Sequence, residues 1–289
     1  MKTWTCKQLG WLLLIFSCNL YGNEPLVLIV YPQAEEPLQS IYASIISGIR
    51  RKVNQTGLLE VPEGSGDLQA DLDRQHPDKI IALGKQVAET ALKSTYRGKM
   101  LVGMVHSKPA GTAGVSLALD SQGIAKRLSQ LAPFIKRVYV VQESNHPAIT
   151  TLRQDPVTIP PITVREAGDM ISAIRILGHL VEQEATIGDA VMVPANLPGN
   201  ILFEITKIAW ERHVILLSTN LAHLESGVLM VFYPDEIGLG EQLGTLANSG
   251  EPVFESLKWV HAALNQRVAQ HLNLTIEAKA LGQFSVKFK

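Results

Sequence analysis

From Glu24 to the C-terminus, short apolar runs alternate with segments of helical period. Residues 26–30 read Leu-Val-Leu-Ile-Val, the continuous apolar run of a parallel strand covered on both faces. Leu38, Ile41, Tyr42, Ile45, Ile46, Ile49 and Val53 then recur at spacings of three and four, opened by Pro37 at a first helical position. Further strands are predicted at 58–61, 79–83 and 100–105, with helices at 67–74 and 86–94 between them. This grouping forms one α/β lobe.

A turn-rich stretch, 109–114, precedes a second series. Strands are expected at 115–119, 138–141, 157–162, 189–193, 214–217 and 228–232, and helices at 121–135, 166–185, 198–213 and 235–248. A last helix is expected at 257–272. The tail Phe284-Ser285-Val286-Lys287-Phe288 alternates strictly, as an edge strand with water-facing lysines does. The fold class is therefore α/β: two Rossmann-like lobes of parallel sheet flanked by helices and joined by a hinge.

Composition narrows the function. The 289 residues are 46% hydrophobic and 18% charged, which excludes a disordered chain. With Lys and Arg at 26 against 27 for Asp and Glu, there is no broad positive field, so no nucleic-acid partner is expected. Both cysteines, Cys6 and Cys18, lie in the first eighteen residues. The body of the protein thus holds neither a disulfide nor a thiolate metal site.

Those first residues have the make-up of an export signal. Lys2 and Lys7 precede a short apolar run, 9–16, and Gly22 offers the small residue for cleavage, so 1–22 is expected to be a signal peptide and the mature protein exported to the periplasm. The run is too short to cross a bilayer, which takes about 20 residues. An alternative is a lipid anchor at Cys18 within Ile15-Phe16-Ser17-Cys18, although Phe16 is bulky for a lipobox. That anchor is the only membrane attachment foreseen.

Several stretches taken together resemble a known family. They are Gly114-Val115-Ser116-Leu117, then 131–138 (Leu-Ala-Pro-Phe-Ile-Lys-Arg-Val), then 189–194 (Asp-Ala-Val-Met-Val-Pro), then Glu225-Ser226-Gly227-Val228-Leu229, then Tyr233-Pro234-Asp235 with Gly240, and finally 264–269 and 272–274. In this order they are similar to the periplasmic substrate-binding proteins of ABC transporters, over most of residues 25–275. The resemblance implies a type I periplasmic-binding fold whose chain crosses between lobes near 114–117, 232–234 and 252–254. The first lobe is then 23–114 with 233–252, and the second 115–232 with 253–289. It also implies a small-molecule ligand trapped by closure, with an inner-membrane ABC permease as partner. Two departures from the family stand out. Only fifteen residues separate Val141 from Val157, and prolines leave room there for about two helical turns, 148–154, in place of a full helix. The loop after the third strand reads Gly84-Lys85-Gln86, where a small hydroxyl residue is usual.

In open parallel sheets ligands sit at the carboxyl ends of the strands. The candidates there are Tyr31, Gln33, Lys85, Gln86, His106 and Ser107 in the first lobe, and Gln142, Asn145, Asn196 and Asn220 in the second. The alternative role for each is a loop cap or hinge contact, and Asn196, before Leu197-Pro198, could cap the following helix. Lys85 would suit an anion, and Tyr31 an aromatic wall. No catalytic residue, cofactor or metal is assigned. The eight histidines form no His-Glu-x-x-His pair, and there is no Gly-x-Ser-x-Gly elbow or phosphate loop. Residues 238–244 imitate a dinucleotide loop, but within a predicted helix and with wrong spacing. A binding protein of the same fold without transport, or an exported hydrolase, are the other readings.

Overall fold

A computed structural model describes residues 25–150 and 158–289. The segment expected to be a signal peptide, 1–22, and Cys18 within it lie outside the described residues. The chain is α/β, with two mostly parallel sheets flanked by helices.

The first sheet is built from β1 (Val27–Pro32), β2 (Thr56–Val61), β3 (Lys79–Leu83), β4 (Met100–Val105) and β5 (Ala113–Asp120). Helices α1 (Leu38–Arg50), α2 (Gln69–Gln75) and α3 (Lys85–Ala91) fall between its strands. The chain continues through α4 (Ser121–Leu131), β6 (Arg137–Glu143), β7 (Ile149–Thr150), β8 (Ile162–Ala167), α5 (Met170–His179), β9 (Asp189–Met192), α6 (Gly199–Glu211), β10 (Ile215–Ser218) and β11 (Met230–Pro234). Then come α7 (Glu236–Ser249), β12 (Phe254–Leu257), β13 (Val260–Asn265), α8 (Gln266–His271), α9 (Ala278–Leu281) and β14 (Val286–Phe288).

The first sheet runs β12-β5-β4-β3-β1-β2, with β7 also paired to β5; the second runs β14-β13-β11-β10-β9-β6-β8. Only the β11–β13 pair is antiparallel among the described residues. In β1, Val27 and Ile29 pack into one apolar layer and Leu28 and Val30 into another. Burial on both faces is why the strand reads as an unbroken apolar run. The layer containing Ile29, Leu83 and Leu243 continues into Val140, Met192 and Phe232 of the second sheet, so one core runs through the junction.

Four expectations are corrected. The strand at 115–119 does not open the second lobe: β5 pairs parallel with β4, Val102 opposite Gly114, with a register shift before Val105. Gly114, foreseen as a hinge, instead permits this close pairing, because a Cβ there would lie 1.9 Å from the Val102 carbonyl oxygen. The helix expected at 257–272 is instead the strand β13 and the short helix α8, with Leu257 ending β12. β12 belongs to the first sheet and β13 to the second, so the chain crosses at 258–259. Ala262, Ala263 and Leu264 are all fully buried, and a strand covered on both faces has no period to distinguish it from a helix.

The strand expected at 157–162 is β8, 162–167, which takes over the start of the helix expected from 166. That helix begins at Met170 because Asp169 caps it, accepting from the Ser172 amide at 2.7 Å. The two helical turns expected at 148–154 are not formed at 149–150, which pair with β5, Leu119 opposite Ile149. Residues 151–154 lie outside the described residues. The chain therefore leaves the second sheet after Glu143 and crosses to the first as a short strap.

The tail is an edge strand, with β14 parallel to β13. The glycine-rich stretch 238–244 lies in α7, which packs on α1. A Cβ on Gly240 would meet the Ile45 carbonyl oxygen at 2.1 Å, and one on Gly48 the Ile237 carbonyl oxygen at 2.1 Å. These glycines serve helix packing.

Candidate functional site

A cavity of about 550 Å³ opens where the strand ends of the two sheets face each other. One wall comes from the loop after β4 and the start of α3: Lys85, Glu89, and Met104 to Pro109. The other comes from Glu143, Asn145 and His146 of the strap and Asn196 after β9. Five of the ten candidates meet here: Lys85, His106, Ser107, Asn145 and Asn196.

The strap is fastened to the first sheet. His106 stacks on His146 with ring centroids 3.6 Å apart and planes at 30°, and its Nδ1 lies 3.3 Å from the Pro147 carbonyl oxygen. The Ser107 hydroxyl donates to the Asn145 carbonyl at 2.7 Å. On the inner side, the Ser116 hydroxyl donates to the His106 carbonyl at 2.6 Å. Burial, followed by the neighbouring His146, pulls the His106 pKa down to about 4, against the opposing pull of the Pro147 carbonyl. His106 is therefore a neutral ring near neutral pH.

Across the opening, Asn196 donates through Nδ2 to Glu143 Oε1 at 2.9 Å. Its side chain bridges the β6 and β9 loops. Lys85 follows Gly84, whose φ of 89° makes the turn from β3 into α3. Its side chain is 83% exposed, with Nζ 3.9 Å from Glu89 Oε1. In this open arrangement the ammonium is solvated, and a ligand has to displace water and Glu89 to reach it.

The other five candidates lie elsewhere or do structural work. Gln142 is buried, and its Oε1 accepts from the Ala148 and Ile149 amides at 3.0 and 3.1 Å, which pins the strap. Asn220 caps the turn 221–224 by accepting from the Ala222 amide at 3.0 Å, while its Nδ2 donates to the Ala195 carbonyl at 2.8 Å. Gln33 and Gln86 line an adjoining cavity of about 480 Å³ that shares Lys85. Tyr31 lines a separate hollow against α1, its ring 5.9 Å from Tyr42.

Sequence reading missed His146, Glu89 and Lys108. His146 directly precedes Pro147 in the segment read as a loop before a helix, and only the strap's crossing brings it to His106. The Ser218 hydroxyl lies 2.9 Å from His223 Nδ1, but the two are 0% and 6% exposed and lie outside this cavity. Among the described residues no group of three His, Cys, Asp or Glu side chains is placed to hold a metal. None of the described helices is long and apolar enough to cross a membrane.

No protein-family model matches the chain. No curated protein matches it either. Solved structures do. An ABC domain in complex with L-Trp from Streptococcus pneumonia superposes with a TM-score of 0.52 at 14% identity, over 92% of this chain and 100% of that one. A substrate-binding protein with adhesive properties from Clostridium difficile, in its ligand-free, open form, gives 0.58 at 15% identity, again over 92% and 100%. A conserved domain protein from Vibrio cholerae gives 0.51 at 14%, over 91% and 100%. At these identities the likeness is one of fold, and the chain has a type I periplasmic-binding-like fold.

Proposed function

We propose that this protein is the solute-binding component of an ABC-type import system, exported by its 1–22 signal peptide to the periplasm, and that it captures a small molecule in the cavity between the sheets. The observation that carries this reading is the cavity itself. Its volume, about 550 Å³, suits a small organic molecule, and loops from both sheets supply its walls. Closure of one sheet on the other would bury the ligand and present a changed surface to an inner-membrane permease.

Lys85, Ser107, Asn145 and Asn196 are the proposed polar contacts, with His106 and His146 as a flat wall. A second reading has one observation in its favour: the strap already ties the two sheets together across the cavity, which suits a binding protein that signals rather than delivers.

Melting the protein against a panel of amino acids and small organic anions tests the capture. At a hundredfold excess over its Kd, a ligand adds about 2.7 kcal/mol, which raises Tm by roughly 5 °C or more for a chain of this size. Lys85→Ala should reduce that rise for an anion and leave a neutral solute's unchanged. A panel that moves Tm in neither protein would count against capture of these solute classes.

A further inference from the structure

Away from the strap cavity, α4 and the crossing from β12 to β13 enclose a hollow of about 390 Å³. Leu119 and Asp120, where β5 hands the chain to α4, form one side, and residues 257–260 form the other. Two of the connections between the sheets therefore run along its walls. Arg127 projects into it from α4.

The Arg127 Nε is buried with no hydrogen-bond partner, the one such side-chain nitrogen or oxygen among the described residues. A buried donor left unpaired is costly, and native proteins rarely keep one without a use. The carboxylates nearby are engaged. Asp120 accepts from the Gly123 amide at 2.6 Å, and Glu255 pairs with Lys258 at 2.8 Å. Neither Lys126 nor Arg127 forms an ion pair among the described residues. The opposite wall carries Trp259, which packs over Gly238 and is nonetheless 57% exposed. Arg127 and the exposed Trp259 line the same hollow, which is large enough for a ring, and together they offer a cation and an aromatic face.

We propose that this hollow binds a flat aromatic carboxylate, with the carboxylate on Arg127 and the ring against Trp259. A guanidinium edge offers two parallel N–H donors, which fit the two oxygens of a carboxylate. Inorganic phosphate lacks the flat ring that the Trp259 face would cover.

Benzoate is the probe. Titrated into the full-length protein, it should change tryptophan emission saturably and release heat in calorimetry, with a Kd of about 1 mM, as befits so small a ligand. Arg127→Gln should weaken binding at least tenfold. Arg127→Lys, which keeps the charge and guards against a folding defect in the first variant, should weaken it several-fold. Trp259→Leu should abolish the emission change and weaken the calorimetric Kd. Equal affinity in Arg127→Gln and the parent protein, no saturation well above the millimolar range, or equally tight binding of inorganic phosphate or phenol would overturn the assignment.

Discussion

His106 shows how one side chain can link the cleft to pH. Its neutral form is held down to about pH 4 in the folded protein, whereas an unfolded histidine takes up a proton near pH 6.5. Between those values the unfolded chain binds more protons, so stability present above about pH 6.5 is lost as pH falls towards 4. The full difference is worth about 3 kcal/mol. The charged groups facing the ring across the cavity are Lys85 and Lys108 against Glu89 and Glu143, with His146 stacked on it. Denaturant unfolding at pH 7 and pH 4.5 should show this loss in the parent protein and much less of it in His106→Gln. Equal losses in both would assign the pH dependence to other groups. Strand-end geometry was enough to nominate His106 from sequence, but not its partner. His146 became visible only once the chain between β6 and β8 was seen to cross between the sheets. Gln142 and Asn220 show the converse: their side chains also stand at strand ends, yet they are spent on backbone amides of the strap and of the 221–224 turn.

At the scale of elements, periodicity located most strands and helices, because amphipathic helices and doubly covered strands leave different patterns. It failed where burial removes the pattern, as at 260–265, and could not show which sheet a strand joins, as at 113–120. Pairing is decided by contacts distant in sequence, and Gly114 declares its role only beside Val102. The stripe Gly240 and Gly244 in α7 makes a definite prediction of the same kind. Gly240→Val would drive a side chain into the α1 backbone at Ile45 and Gly48, which no rotamer can relieve. The expected loss of stability is about 1–3 kcal/mol, the usual cost of overpacking, measured by chemical denaturation. Gly98→Val, at a position with nothing within 4 Å, should cost far less. A comparable loss at both positions would show that propensity, not packing, sets the cost.

The whole molecule is two parallel-sheet units sharing one continuous core at the junction, with a strap fastened across the opening between them. The shared core, running from Ile29 and Leu243 to Val140 and Phe232, resists separation of the units, while the cavity beyond it has room for a guest. The alternation of strands and helices made the two α/β series legible in the sequence, while the return of α7 to the first sheet was implied only by the family resemblance. The ligand's identity was not legible, because the cavity combines lysines, glutamates, neutral amides and imidazoles, and no single chemistry dominates. The central claim is that a small molecule occupies this cavity in the producing cell. Mass spectrometry of protein purified without added solute, under native conditions and again after denaturation, addresses it most directly. The account predicts a native mass above that of the chain by one small organic molecule, which appears free after denaturation and is lost from the native spectrum of a variant with Lys85, Asn145 and Asn196 all changed to Ala. An identical adduct in that variant would contradict it.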